Sequence, residues 1–108
     1  MTIVTVFQDK NHSYVGFSCN GHAGYAKAGE DIVCSAISVL TINTINSISS
    51  FTDAKFSVES KEETGDLKML LETPADRGAE LLMRSLVLGL QGIQENYQDY
   101  MTLNFKEV

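Results

Sequence analysis

Two hydrophobic periods alternate along this chain. Residues 3–7 are β-branched and aromatic, which predicts a strand. Asp9, Lys10, Asn11 and His12 form a polar turn. Residues 13–19 predict a second strand, with Val15, Phe17 and Cys19 on one face and Tyr14, Gly16 and Ser18 on the other. The two strands read as a hairpin. A loop over residues 21–30 follows, and the period then changes to that of a helix. Val33, Ile37, Leu40, Thr44 and Ile48 keep helical spacing, and Ala36, Val39 and Ile45 widen the apolar stripe. So wide a stripe predicts a mostly buried helix. Phe56 and Val58 mark a third strand, and residues 61–65 a charged turn closing on Gly65. Leu67, Met69 and Leu71 alternate with Asp66, Lys68 and Leu70 in a fourth strand. Thr73 as N-cap, Pro74 at the first helical position and Asp76 in the first turn predict a second helix. Its stripe is Ala79, Leu82, Leu86, Leu90, Ile93 and Tyr97, with Gly89 and Gly92 placed for close packing against a neighbour. Met101, Leu103 and Phe105 alternate in a last strand. The order is ββαββαβ. Hairpins followed by single helices predict an α+β two-layer sandwich, a mostly antiparallel sheet with two helices on one face.

Composition narrows the partners. With 108 residues, 44% hydrophobic and 20% charged, residues 1–108 are expected to form one domain. We see no repeat, low-complexity tract or linker. No apolar run is expected to reach the roughly 18 residues of a membrane span, so no membrane partner is expected. The start, MTIVTVFQDK, lacks a basic segment, so no secretory signal is expected. The net charge of −6 counts against direct nucleic-acid contact, which needs excess Lys and Arg. Basic proteins or peptides suit such a surface better. Two cysteines are too few for a disulfide scaffold, which points to a reducing, cytoplasmic setting.

The chemistry concentrates between Gly21 and Leu40, GHAGYAKAGEDIVCSAISVL. His22 and Cys34 are joined by a loop in which Gly24 and Gly29 act as hinges. Cys34 is expected in the first helical turn, where unpaired N–H groups and the helix dipole favour a thiolate. The same N–H groups would face a carbonyl attacked by Cys34, as an oxyanion site requires. Asp31 either caps the helix or orients His22. Cys34, Ser38 and Thr41 share one helical face, so Ser38 can orient the site. The bland alternatives are a small buried cysteine and a satisfied loop histidine. Cys19, His22 and Cys34 also suggest three zinc ligands. Cys19 shares its strand face with Val15 and Phe17, however, and a fourth ligand would have to be distant His12 or Asp31. No metal is therefore expected. His12 and the Glu62-Glu63 pair read as solvated turn residues.

The run Gly21-His22-Ala23, then Gly29-x-Asp31-x-Val33-Cys34-Ser35-Ala36-x-Ser38, closely resembles the signature of the ribosomal-processing cysteine protease family. Ser35-Ala36 stands where many relatives have alanine and then glycine or alanine, a change beside the site. The resemblance implies a small cytoplasmic endopeptidase, homodimeric and without a cofactor. It implies a ribosomal protein's N-terminal peptide as substrate, a short extension removed after paired phenylalanines. His22 would be the general base and acid and Cys34 the nucleophile, with Gly21, Asp31 and Ser38 supporting. The glycines would let the loop close over a bound peptide. The competing readings are a non-catalytic ribosome-associated binding module and a small zinc-binding domain.

Overall fold

The computed structural model describes residues 1–21, 28–61, 64–72 and 76–108, with residues 28–31 described by their backbone alone. The chain runs β1 (Thr2–Gln8), β2 (Tyr14–Asn20), α1 (Ala28–Phe51), β3 (Phe56–Lys61), β4 (Asp66–Leu71), α2 (Arg77–Asn96) and β5 (Met101–Glu107). The strands form one five-stranded sheet in the order β3-β4-β2-β1-β5. The β1–β2, β2–β4 and β3–β4 pairs are antiparallel, and β1–β5 is parallel. The predicted α+β order and mostly antiparallel sheet are therefore what the chain adopts.

Register explains why one face carries the core. Val4 pairs with Cys19 and with Leu103, and Val6 pairs with Phe17. Phe17 pairs in turn with Met69. Paired residues share a sheet face, so these side chains form one apolar surface. Both helices cover it. Val33, Ile37 and Ile48 from α1 and Ala79, Met83, Leu86 and Leu90 from α2 complete a single cluster with it. On the other face Phe7 is the buried side chain, and the Lys68 ammonium lies 5.6 Å from its ring centre.

Both helix starts differ from expectation. Helix α1 begins at Ala28, so Gly29 and Asp31 fall within its first turn. Asp31 is therefore not the N-cap, and Gly29 is not a loop hinge. Acidic residues at positions 30 and 31 suit a first turn, because the helix dipole favours negative charge there. Helix α2 is capped by Asp76, whose carboxylate accepts from the Ala79 N–H at 2.8 Å. Asp76 stands before the first turn because its backbone is extended (φ −75°, ψ 115°), as an N-cap requires. Thr73 and Pro74 lie outside the described residues, as do Glu62 and Glu63. Where the helices meet, a Cβ on Gly89 would come within 2.9 Å of Leu40, so a glycine there permits the contact. Gly92 faces open space and plays no such part.

Helix α1 departs from expectation in one more respect. Its stretch Ile32–Phe51 is uncharged, with a mean hydropathy of 1.5 over 20 residues. By length and composition it is apolar enough to cross a membrane, although Ser, Thr and Asn interrupt it. In the fold it lies against the sheet and α2. Buried Thr41 and Thr44 satisfy their hydroxyls by donating to the Ile37 and Leu40 carbonyls, at 2.8 and 2.7 Å. Its outer face leaves Ile32, Val39 and Ile42 exposed at 58%, 67% and 52%.

Candidate active site

Cys34 lies at the wall of a cavity of about 220 Å³. Four parts of the chain build that wall. Thr2 comes from the start of β1, and Cys19 and Gly21 from the end of β2. Cys34, Ile37, Ser38, Thr41 and Ile42 come from one side of α1. Gly65 and Leu67 come from the β3–β4 turn and the strand after it. The predicted polar stripe of α1 thus meets the end of the hairpin. Ser38 is exposed at the cavity wall, one turn beyond Cys34, and Thr41 is buried.

The thiol of Cys34 is half-buried and free. Its Sγ lies 3.5 Å from the Thr2 hydroxyl oxygen, and either group can donate in the thiol form. Cys34 is the seventh residue of α1 and so stands in the second turn. The N–H groups without intrahelical partners belong to the first turn. Six residues of rise put the helix start about 9 Å away along the axis. The predicted first-turn oxyanion donors therefore do not adjoin Cys34. The dipole's influence on it is also reduced, since that effect falls off within a turn.

Gly21 stands where β2 hands over to residues 22–27. Its φ is +87°, in the left-handed region, and a Cβ there would meet the Met1 carbonyl oxygen at 2.6 Å. A side chain is excluded on both counts. Gly21→Ala should cost at least about 1 kcal/mol and lower cleavage activity, because it moves the chain beside the cavity. A thermal melt and a peptide-cleavage rate check both parts. Nearby, Asp66 ties the β3–β4 turn to the end of β2, accepting from the Thr64 hydroxyl at 2.9 Å and from the Asn20 side-chain amide at 3.2 Å. These bonds, the Thr64 one first, keep its carboxyl below the usual range.

His22 and Gly24 lie outside the described residues, as does the Asp31 side chain. The predicted closing of this loop over a peptide lies there too. The structure brings Gly21, Cys34 and Ser38 to one cavity. It places His12 in the β1–β2 turn, at the opposite end of the hairpin from Gly21, with φ +64° and its N–H donating to the Asp9 carbonyl. A strand of this length spans about 20 Å, so His12 is not a partner for Cys34.

Cys19 shares the cavity wall but belongs to the core at 7% exposure. Burial pushes its thiol up from about 9 to about 12. At neutral pH it stays a thiol, which disfavours it as a nucleophile and as a zinc ligand alike. Among the described residues, no group of three His, Cys, Asp or Glu side chains is arranged to hold a metal. The raised value has a testable consequence for stability. The folded chain holds this proton more tightly than the unfolded chain. The stability from a protonated Cys19 is therefore complete below about pH 9 and lost as pH rises toward about 12. The stability gap between the native chain and Cys19→Ala should shrink across that alkaline window in urea titrations.

Sequence reasoning missed Thr2, Gly65 and Leu67 as parts of this site. Thr2 and Cys34 are 32 positions apart, and no local spacing signals their contact.

Comparison with known proteins gives the family and the fold. The sequence profile described as cysteine protease Prp matches residues 1–102. The ribosomal processing cysteine protease Prp of Staphylococcus aureus (strain NCTC 8325 / PS 47) is 26% identical over 87 residues, covering 81% of this chain and 82% of that protein. Two crystal structures of the S. aureus protease share the fold. The one with a substrate peptide has a TM-score of 0.93 at 23% identity, covering 98% of this chain and 100% of that one. The one with a covalently linked product peptide has a TM-score of 0.89 at 24% identity, with the same coverage. The profile match spans both helices, the first four strands and the start of β5, and this chain belongs to the Prp family of cysteine proteases.

Proposed function

We propose that this chain is an endopeptidase that removes a short N-terminal extension from a ribosomal protein, with Cys34 as nucleophile and His22 as general base and acid. The observation that carries this reading is the contrast between the two cysteines. Cys34 opens onto a cavity, whereas Cys19 is held as a buried thiol. His22 takes the Cys34 proton, and the thiolate attacks the peptide carbonyl. The tetrahedral adduct collapses as His22 protonates the leaving amine. Water then releases the acyl group from sulfur, again through His22. The relatives' substrate and product peptides support a peptide as the bound partner here.

Specificity for aromatic residues before the cut finds support in the cavity's apolar wall of Ile37, Ile42 and Leu67. Homodimer formation finds support in α1. An uncharged stretch, Ile32–Phe51, that exposes Ile32, Val39 and Ile42 suits a partner copy better than water. The net charge of −6 favours a basic ribosomal protein over nucleic acid, and the cytoplasm is where such a substrate is made. Ser38 at the cavity wall, and Asp31 through His22, are assigned supporting roles.

The test uses two peptides, the unprocessed N-terminus of the ribosomal protein and a copy with its paired phenylalanines replaced by alanine. One cut after the pair, and none in the alanine copy, is expected. Equal cutting of both contradicts aromatic specificity. No cutting of either by folded protein contradicts the function.

A further inference from the structure

The Thr2 hydroxyl is a built contact that the mechanism above does not use. Thr2 is 6% exposed, and its Oγ1 lies 3.5 Å from Cys34 Sγ. Its backbone is fixed from two sides. The Thr2 N–H donates to the Tyr100 carbonyl at 3.0 Å, and Thr2 pairs with Met101 of β5. One residue earlier, the Met1 carbonyl packs against Gly21. A β-branched side chain on such a backbone has little rotamer freedom. The other hydroxyls of the cavity are placed differently. Thr41 Oγ1 is engaged by the Ile37 carbonyl at 2.8 Å, and Ser38 is exposed on the next turn of α1. Among the described residues, Thr2 supplies the hydrogen bond to the sulfur.

We propose that Thr2 is a positioning residue for the Cys34 nucleophile, its hydroxyl aiming Sγ into the cavity and donating to it when the sulfur is ionised. The proposal rests on Cys34 being the nucleophile. In the thiol form, either atom can be the donor. Once the proton has gone to His22, the thiolate can only accept, and the Thr2 O–H must donate. A hydrogen bond to the charged form favours that form. The bond also holds one Cys34 rotamer, which keeps the sulfur on the attack line. Thr2 therefore acts through the sulfur and makes no claim on the substrate.

Other titratable groups stand near this sulfur in the fold or in the sequence, and the test must leave them alone. Cys19 of β2 lines the same cavity, and burial keeps it protonated. His22, Glu30 and Asp31 precede Cys34 in sequence, with side chains outside the described residues. Asp66 is the chain neighbour of Gly65, which lines the cavity. None of these groups is altered by Thr2→Val, which exchanges the hydroxyl for a methyl of nearly the same shape.

The test measures kcat and KM for peptide cleavage and the rate of Cys34 alkylation by iodoacetamide across pH, with the modified cysteine assigned by peptide mass. Thr2→Val should lower kcat roughly tenfold and slow Cys34 alkylation at neutral pH to a similar degree, with KM within about twofold. Thr2→Ser, which keeps the hydroxyl, should restore both. Thr2→Ala should match Thr2→Val, since the hydroxyl and not the methyl is at issue. An unchanged alkylation rate and kcat in Thr2→Val overturns the proposal. So does a Thr2→Ser variant as impaired as Thr2→Val, which would make the role one of packing. Cleavage that persists in Cys34→Ala would sink the nucleophile assignment itself, a failure separate from that of Thr2.

Discussion

Cys34→Ala is expected to lower peptide cleavage by roughly 10⁴-fold or more while the protein stays folded. Losses of that size follow when a covalent nucleophile is removed, because the remaining groups act only as a unit with it. Nothing else described at this site can replace the sulfur. Ser38 lies a turn away, and Cys19 is a buried thiol whose ionisation is pushed to about pH 12. The fold should survive because Cys34 is half-buried and, among the described residues, its side chain makes one polar contact, with Thr2. A change within about 1 kcal/mol is the expectation for such a site. Single-turnover cleavage and a thermal melt on the same preparation separate the two effects. Retained cleavage refutes the assignment, and a collapsed melt refutes the claim that Cys34 is dispensable for folding.

Phe17→Ala should have the largest effect on stability. Phe17 lies on β2, with Val6 of β1 on one side and Met69 of β4 on the other, and all three are fully buried. The helices cover them, so the lost ring leaves a cavity that the sheet cannot collapse to fill. Such a change costs about 3–5 kcal/mol. Small domains are stable by only about 5–15 kcal/mol. The melting temperature should therefore fall by roughly 15–30 °C. Leu81→Ala is the control, because Leu81 is 64% exposed on α2, and it should stay within about 0.5 kcal/mol. If the two variants melt alike, the core does not sit where the register places it.

How much was legible in the sequence depends on the range of the interaction. Every strand was found, because period-2 alternation is local and a half-buried sheet enforces it. Each of the first two strands differs from expectation by one residue at both ends. The helix starts were misread where two local rules compete. Gly29 and Asp31 are poor helix formers and good loop or cap residues, yet α1 begins before both. Thr73 and Asp76 are both cap types, and the carboxylate that reaches the Ala79 N–H decided the matter. That first error moved Cys34 from the first turn to the second and removed the oxyanion argument built on it. The uncharged stretch of α1 escaped notice because Ser, Thr and Asn break it, although its mean hydropathy remains high. The parallel β1–β5 pair and the Thr2–Cys34 contact carry no local signal. They exist only once the sheet order brings the first strand beside the last and under α1.

The most direct test of Cys34 as nucleophile is a mass measurement on the enzyme during turnover. The enzyme is mixed with the unprocessed ribosomal peptide, quenched in acid within the first turnover, and weighed intact. The expected result is a species heavier by the N-terminal fragment, held as a thioester on Cys34 and absent from Cys34→Ala. Cleavage with no adduct on Cys34, or with the adduct on Cys19, would contradict it.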